Sequence, residues 1–158
     1  MTRLSSLAYR PCVGLMVINA HKKILTGQRI GYSSIAWQMP QGGLENGENT
    51  LAAAYRELQE ETSIQKHHVR LLAVSKKWLN YDLPAELVPK LWNGSYRGQK
   101  QKWFLMQFMG DDNDINLQTE MPEFSQWRWS SKQQLINSIV PFKKKIYKNI
   151  IEEFDQFL

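Results

Sequence analysis

The sequence predicts a single α/β (α+β) domain, a mixed β-sheet held between helices. Three observations carry that expectation. Short apolar runs with two-residue alternation recur at residues 9–20, 24–29, 69–79, 101–109 and 126–129. Apolar residues at three- and four-residue spacing mark helices at 50–62 and from Phe142 onward. No internal repeat or low-complexity linker divides the 158 residues, a length that suits one domain with an ordinary core.

Each element has its own signature. Residues 9–20 read as a strand with Val13, Leu15 and Val17 on one face; His21-Lys22-Lys23 turns the chain into a second strand at 24–29. Residues 31–34 are loop, and 37–43 carry Pro40 and the pair Gly42-Gly43, which predict irregular backbone. Leu51, Ala54 and Leu58 set the helix at 50–62, with Asn49 or Thr50 as its cap. Residues 69–79 read as one strand, and 82–99, with two prolines and two glycines, mostly as loop. Residues 101–109 are a strong strand, 110–114 a turn, 126–129 a short strand and 131–138 a short helix. Phe142, Ile146, Ile150 and Phe154 stand at four-residue steps along a closing amphipathic helix.

Composition excludes several classes. A single cysteine, Cys12, rules out a disulfide framework, a cysteine-rich zinc site and a CxxC redox pair, and reads as a small buried residue. The longest early apolar run, residues 13–18, is too short to span a bilayer, and the first residues carry no secretory h-region. A cytoplasmic protein with no membrane partner is expected. The net charge is +5, unevenly spread: residues 45–61 hold five acids and one base, leaving 19 bases against 10 acids elsewhere. A basic surface suits a polyanion, and an acidic focus within it repels one unless divalent cations intervene. A solvated acidic helix face explains the same numbers.

The acidic focus has a pattern. Glu57, Glu60 and Glu61 stand at i, i+3 and i+4, so they share one helix face. Like charges there weaken a helix, whereas Mg²⁺, a hard cation, prefers carboxylate oxygens. Gly42-Gly43 just upstream would let a backbone carbonyl approach such an ion. Arg56 lies four residues before Glu60 and can pair with it. Three glutamates alone are weak evidence, but the whole string is specific: Gly42, five residues, Glu48, seven residues, Arg56-Glu57-Leu58, one residue, Glu60-Glu61, one residue, Ser63-Ile64. It resembles the Nudix box (residues 42–64) at every fixed position except the last glycine, here Ser63. That position ends the helix in a left-handed turn, which costs a non-glycine residue about 1–2 kcal/mol.

The resemblance extends from residue 9 to about 155. Tyr9-Arg10-Pro11, Trp37 to Gly43, Trp78-Leu79-Asn80-Tyr81, Gly98 to Phe104, Pro122-Glu123-Phe124, Trp127-Arg128-Trp129 and Phe142-Lys143 are similar to the bacterial RNA pyrophosphohydrolases and the related dinucleoside tetraphosphate hydrolases. The loop at 31–36 looks longer than in some relatives.

The resemblance implies a Nudix fold over residues 1–158 and a phosphoanhydride hydrolase using two or three Mg²⁺ (or Mn²⁺) ions. Glu57, Glu60 and Glu61 match the family's metal ligands, with the Gly42 carbonyl as another. Glu123 matches an acidic group outside the box, either ligand or base. Glu57 is the first choice for general base and Glu123 the second. Arg10, Arg29, Lys100 and Lys102 are candidates for phosphate grips, the arginines as forks and the lysines as point charges; ordinary surface charge competes for each. Gln41 would border the phosphate site. Phe142, with Tyr81 weaker, resembles positions that flank a nucleobase, though Phe142 also fits as the first core residue of the last helix. Lys143, with Lys144 and Lys145, would meet an RNA backbone or form a solvated face. Trp103, Trp127 and Trp129 are assigned to the core and His67-His68 to the surface.

The expected substrate is 5′-triphosphorylated RNA, converted to the 5′-monophosphate and so opened to decay. A dinucleoside polyphosphate split into ATP and AMP is the alternative within enzymes. A non-catalytic RNA-binding domain on the same fold is the alternative of another class. No DNA specificity is expected, and nothing demands more than a monomer.

Overall fold

The computed structural model describes residues 6–31 and 36–158. The loop expected at 31–34 therefore lies, from residue 32, outside the described residues, as do residues 1–5 at the start of the chain. Among the described residues eight strands form one mixed sheet. Its spine is β3 (Trp37–Gln38), β2 (Ile24–Arg29), β1 (Ala8–Ile18), β7 (Tyr96–Phe108) and β5 (Val69–Val74), in that order. Beside this spine β4 (Gln41–Gly43) pairs with β1, β6 (Leu79–Asp82) with β7 and β8 (Phe124–Ser130) with β2. β1 and β7 run parallel, Tyr9 opposite Gly98 and Ile18 opposite Gln107; the other pairings are antiparallel.

The alternation of β1 builds two cores. Val13, Leu15 and Val17 pack with Phe104, Met106 and the Ala53, Ala54 and Leu58 face of α1 (Thr50–Thr62). Met16 and Ile18 face the other way, onto Trp103, Leu105 and the buried residues of α2 (Lys132–Ser138) and α3 (Lys144–Glu153). A central strand buried on both faces explains why residues 12–18 are all sequestered.

Several expected boundaries move. Residues 69–79 are two strands. The chain leaves β7 at Ser75, whose N–H donates to the Trp103 carbonyl at 2.8 Å and whose Oγ accepts the Trp103 N–H at 3.0 Å. It bulges through exposed Lys76 and Lys77 and rejoins β7 as β6. β7 begins at Tyr96, not at 101, because the buried side of its first half carries glutamine amides instead of apolar groups. Residues 82–99 contain two short 3₁₀ segments, Ala85–Lys90 and Trp92–Gly94, before that strand. Short strands flank Pro40 where irregular backbone was expected. The last helix starts at Lys144, since Pro141 opens a separate 3₁₀ turn that holds Phe142. Trp103 is sealed in the core, whereas Trp127 and Trp129 are half-buried and packed edge to face at 5.8 Å. His68 is half-buried and not a simple surface group: its Nδ1 accepts the Gln65 N–H at 2.9 Å.

α1 is capped at both ends. Asn49 Oδ1 accepts the N–H groups of Leu51 and Ala52 at 2.9 and 3.3 Å. Ser63 closes the helix at φ 66°, ψ 3°, its N–H donating to the Gln59 carbonyl. Its Oγ donates to the Asn116 carbonyl at 2.7 Å, which offsets part of the left-handed cost. Ser63→Ala keeps the strain and loses that bond, so it is expected to destabilise by about 1 kcal/mol. Ser63→Gly loses the bond and relieves the strain, so urea titration is expected to place its midpoint above that of the alanine variant. The reverse order would mean that the left-handed turn carries no strain.

Candidate active site

The cleft is organised around Arg56. Its Nε and Nη2 grip the two oxygens of Glu48 at 2.7 and 2.8 Å, Nη2 also donates to the Gly43 carbonyl at 3.0 Å, and Nη1 reaches Glu57 at 2.8 Å and Glu60 at 3.1 Å. Those five bonds match the five N–H groups of a guanidinium. The bidentate grip holds the Glu48 carboxyl well down, at about 2, helped by the Glu45 N–H. Arg56 thus ties the Gly42-Gly43 strand to the glutamate helix across the turn between them. Its pairing reaches past the expected partner Glu60 to Glu48.

Glu61 is buried and Glu57 half-buried. Burial raises the Glu57 carboxyl above its ordinary value, against the lowering effect of Arg56. Glu61 is 5% exposed. Burial pushes its carboxyl well up, and the neighbouring charges of Glu57 and Glu123 add to this; Arg29 and the Gln41 N–H oppose it. Its Oε2 is buried without a hydrogen-bond partner among the described residues. The carboxylate of Glu57 occupies the space that a Cβ on Gly42 would need. Glu60 is exposed, and Glu123 lies 3.5 Å from Arg29. Among the described residues no three carboxylate, imidazole or thiol groups converge closely enough to hold a metal ion as they stand; Arg56 lies between Glu57 and Glu60, bonded to both. A hard cation fits this donor set: it would meet the orphaned oxygen of Glu61 and relieve crowding of like charge.

A pH dependence follows. A carboxyl whose folded pKa is raised penalises the folded state progressively as pH climbs from the ordinary 4.5 through the raised value. A cation that ligates the deprotonated groups cancels this penalty. Millimolar Mg²⁺ is therefore expected to raise the melting temperature more at pH 8 than at pH 5, reversibly with chelator. An equal rise at both values would disconnect the ion from Glu57 and Glu61.

Residues from both faces of the sheet line one cleft of about 940 Å³. It brings together Arg10, Arg29, Gln41, Gly42, Arg56, Glu57, Glu60, Glu61, Tyr81, Glu123, Phe142 and Lys143. The Arg10 guanidinium lies 5.1 Å over the Trp92 ring, a cation–π contact, and Lys143 lies 5.6 Å over Tyr81. Tyr81 and Phe142 pack at 5.9 Å. Phe142 is half-buried against the core and still lines the cleft, so its two expected roles coexist. Lys143 is not part of a solvated face. It is 5% exposed, with Nζ 3.4 Å from Gln38 Oε1, and burial lowers its ammonium to about 8. Lys144 and Lys145 are exposed.

Lys100 and Lys102 do not line the cleft. Successive residues of β7 alternate faces, and Gln99 and Gln101 share the cleft side with Trp103. The two lysines therefore project to the other side, Lys100 over Trp78 at 5.3 Å. Gln99 and Trp92 line the cleft and were missed. The two-residue spacing of Gln99, Gln101 and Trp103 was the signal for the first; nothing local marked the second.

Comparisons with known proteins bear on the fold and the family. The NUDIX domain matches residues 8–150. A protein of Roseobacter denitrificans named RNA pyrophosphohydrolase is 52% identical over 155 residues, covering 98% of this chain and 97% of that one. One of the same name from Rickettsia canadensis is 51% identical, covering 96% and 93%. Among solved structures, the dihydroneopterin triphosphate pyrophosphohydrolase of E. coli superposes with a TM-score of 0.71 at 16% identity, covering 92% of this chain and 98% of that one. An Ap4A hydrolase binary complex from C. elegans gives 0.65 at 19% identity, covering 92% and 99%. The solved structures speak for the fold, the near-complete match of the domain for descent: the chain belongs to the NUDIX family.

Proposed function

We propose that this protein, taken as one domain over residues 1–158, is an RNA pyrophosphohydrolase. It would hydrolyse the 5′-triphosphate end of RNA to a 5′-monophosphate. The observation that carries the reading is the joining in one cleft of the acids Glu57 and Glu61 with Arg10, Arg29 and Lys143, in a chain 52% identical to a protein of that name.

Glu57, Glu60, Glu61 and the Gly42 carbonyl are the groups that would hold two or three Mg²⁺ or Mn²⁺ ions, with Glu123 beside them. When bound, the ions supply charge neutralisation and Lewis acidity toward the phosphate chain. Arg10 and Arg29 grip phosphoryl oxygens as forks and Lys143 as a point charge. Glu57, raised by burial, accepts a proton from the attacking water; the water oxygen bonds to the β-phosphorus as the bond from that phosphorus to the α–β bridging oxygen breaks, so the RNA 5′-monophosphate is the leaving group and pyrophosphate the other product. Arg56 steers the Glu57 and Glu60 carboxylates. Tyr81 and Phe142 flank the terminal base. The net charge of +5 favours a strand over a dinucleotide. No helix among the described residues is long and apolar enough to cross a membrane; the reading puts the protein at work in the cytoplasm, where an RNA substrate would be met, as a monomer.

The test is a side-by-side measurement of kcat/KM with Mg²⁺ on a short triphosphorylated RNA and on diadenosine tetraphosphate. Preference for the RNA is expected. Preference for the dinucleotide would make this a nucleotide-clearing enzyme. Mg²⁺-independent binding without turnover would make it a binding module.

A further inference from the structure

Three glutamine amides run from the sealed core to the cleft, and their polarity is fixed at the core end. Trp103 is fully buried, and an indole N–H can only donate. It donates to Gln101 Oε1 at 2.9 Å. The Gln101 oxygen is thereby assigned, and its Nε2 faces the other way, donating to Gln99 Oε1 at 2.7 Å and to Gln41 Oε1 at 2.6 Å. Both of those glutamines turn their oxygens inward, so each has its NH₂ group left over. Gln99, 2% exposed, and the half-buried Gln41 both line the cleft.

The register places these donors. Gln99 stands opposite Arg10 on one side and Tyr81 on the other, so the three form a row across β1, β7 and β6. Gln41 precedes Gly42, and its backbone N–H reaches Glu61. Gln41 is therefore at the carboxylate end of the cleft and Gln99 beside Arg10, both on the wall that a polyphosphate chain held by these groups would meet. A phosphoryl oxygen is an acceptor only. A freely turning glutamine would present its oxygen to it half the time, and a fixed one does not.

We propose that Gln99 and Gln41 donate their Nε2 amides to phosphoryl oxygens of the substrate's polyphosphate chain, and that Gln101, set by the Trp103 indole, is the positioning residue that fixes their polarity. This rests on the polyphosphate substrate proposed above, but not on RNA as its carrier.

The probe is inorganic tripolyphosphate, titrated calorimetrically into the full chain at saturating Mg²⁺. Gln99→Met and Gln41→Met remove the donors at nearly constant volume, and each is expected to weaken binding about tenfold with unchanged melting. Gln101→Glu keeps an acceptor for Trp103 but has no N–H for either neighbour. It is expected to weaken binding in the wild-type background and to have no further effect in the Gln99→Met, Gln41→Met double variant. A purely structural role would weaken binding in both backgrounds and would overturn the positioning assignment. Should Gln101→Glu fail to fold, Trp103→Phe, which removes the indole donor and leaves an aromatic ring, takes its place in the same comparison. Unchanged affinity in Gln99→Met and Gln41→Met would overturn the proposal outright. Amide-dependent tripolyphosphate binding without RNA turnover would sink the RNA reading and leave this one standing.

Discussion

Glu57→Gln is expected to lower kcat at least about a thousandfold, within the range known for loss of a positioned general base, while the protein stays folded. The substitution is nearly isosteric and removes one charge. Glu57 sits between opposing influences: burial raises its carboxyl, and the Arg56 guanidinium at 2.8 Å lowers it. Glutamine can still accept that N–H through its oxygen, so the Arg56 cradle keeps its contacts to Glu48 and the Gly43 carbonyl. It also removes one of the charges that press on Glu61, so no large loss of melting temperature is expected. Glu123→Gln is the necessary companion. Glu123 is half-exposed and paired with Arg29 across 3.5 Å, a looser setting in which a base is less well aimed. The expected order is a larger loss at Glu57 than at Glu123, measured as kcat on triphosphorylated RNA at saturating Mg²⁺. A Glu57→Gln enzyme within tenfold of wild type, beside a dead Glu123→Gln enzyme, would reverse the assignment of the base.

The glutamate helix was legible because its information is local. Glu57, Glu60 and Glu61 share a face through helical spacing alone, and Asn49 caps the helix from its own sequence position. Arg56 was legible as a partner of Glu60 but not of Glu48, since that contact, eight residues apart, depends on how the preceding turn folds. β7 shows the opposite case. A strand with one apolar face declares its phase; the first half of β7 places glutamines on one face and lysines on the other. Both read as polar, so only the phase they share with Trp103 further along the strand marks the glutamine set, and a shift of one residue exchanges the two. Lys100 and Lys102 were chosen for their charge, and the fold put Gln99 in their place. Trp92 was illegible for a related reason: it reaches the cleft through a turn with φ values of 48° at Trp92 and 57° at Asn93, a backbone path that no side-chain pattern announces.

Gly42→Ala is expected to damage catalysis through geometry alone, without touching a charge. β4 pairs antiparallel with β1, Gly42 opposite Val13 and Gly43 opposite Cys12. Neighbouring residues point to opposite faces, so the two glycines test different things. A Cβ on Gly42 falls within the Glu57 carboxylate, which Arg56 holds from the other side. Either Glu57 leaves its contact with Arg56 or β4 moves away from the helix. Displacements of about 1 Å at a reacting group cost on the order of a hundredfold in rate, so kcat is expected to fall by at least that, with a stability loss of about 1–3 kcal/mol for the overpacking. A Cβ on Gly43 meets instead the Arg10 guanidinium, the free end of a long side chain held by the Trp92 ring and a 3.5 Å contact to Cys12 Sγ. That end can yield. Gly43→Ala is therefore expected to raise KM, through displacement of the phosphate grip proposed for Arg10, and to leave kcat within a few-fold of wild type. Steady-state kinetics of the two variants separate the roles. A KM effect for Gly42→Ala with kcat preserved would show that Glu57 does its work from a position the added methyl does not reach, and would remove the Gly42–Glu57 contact from the catalytic geometry.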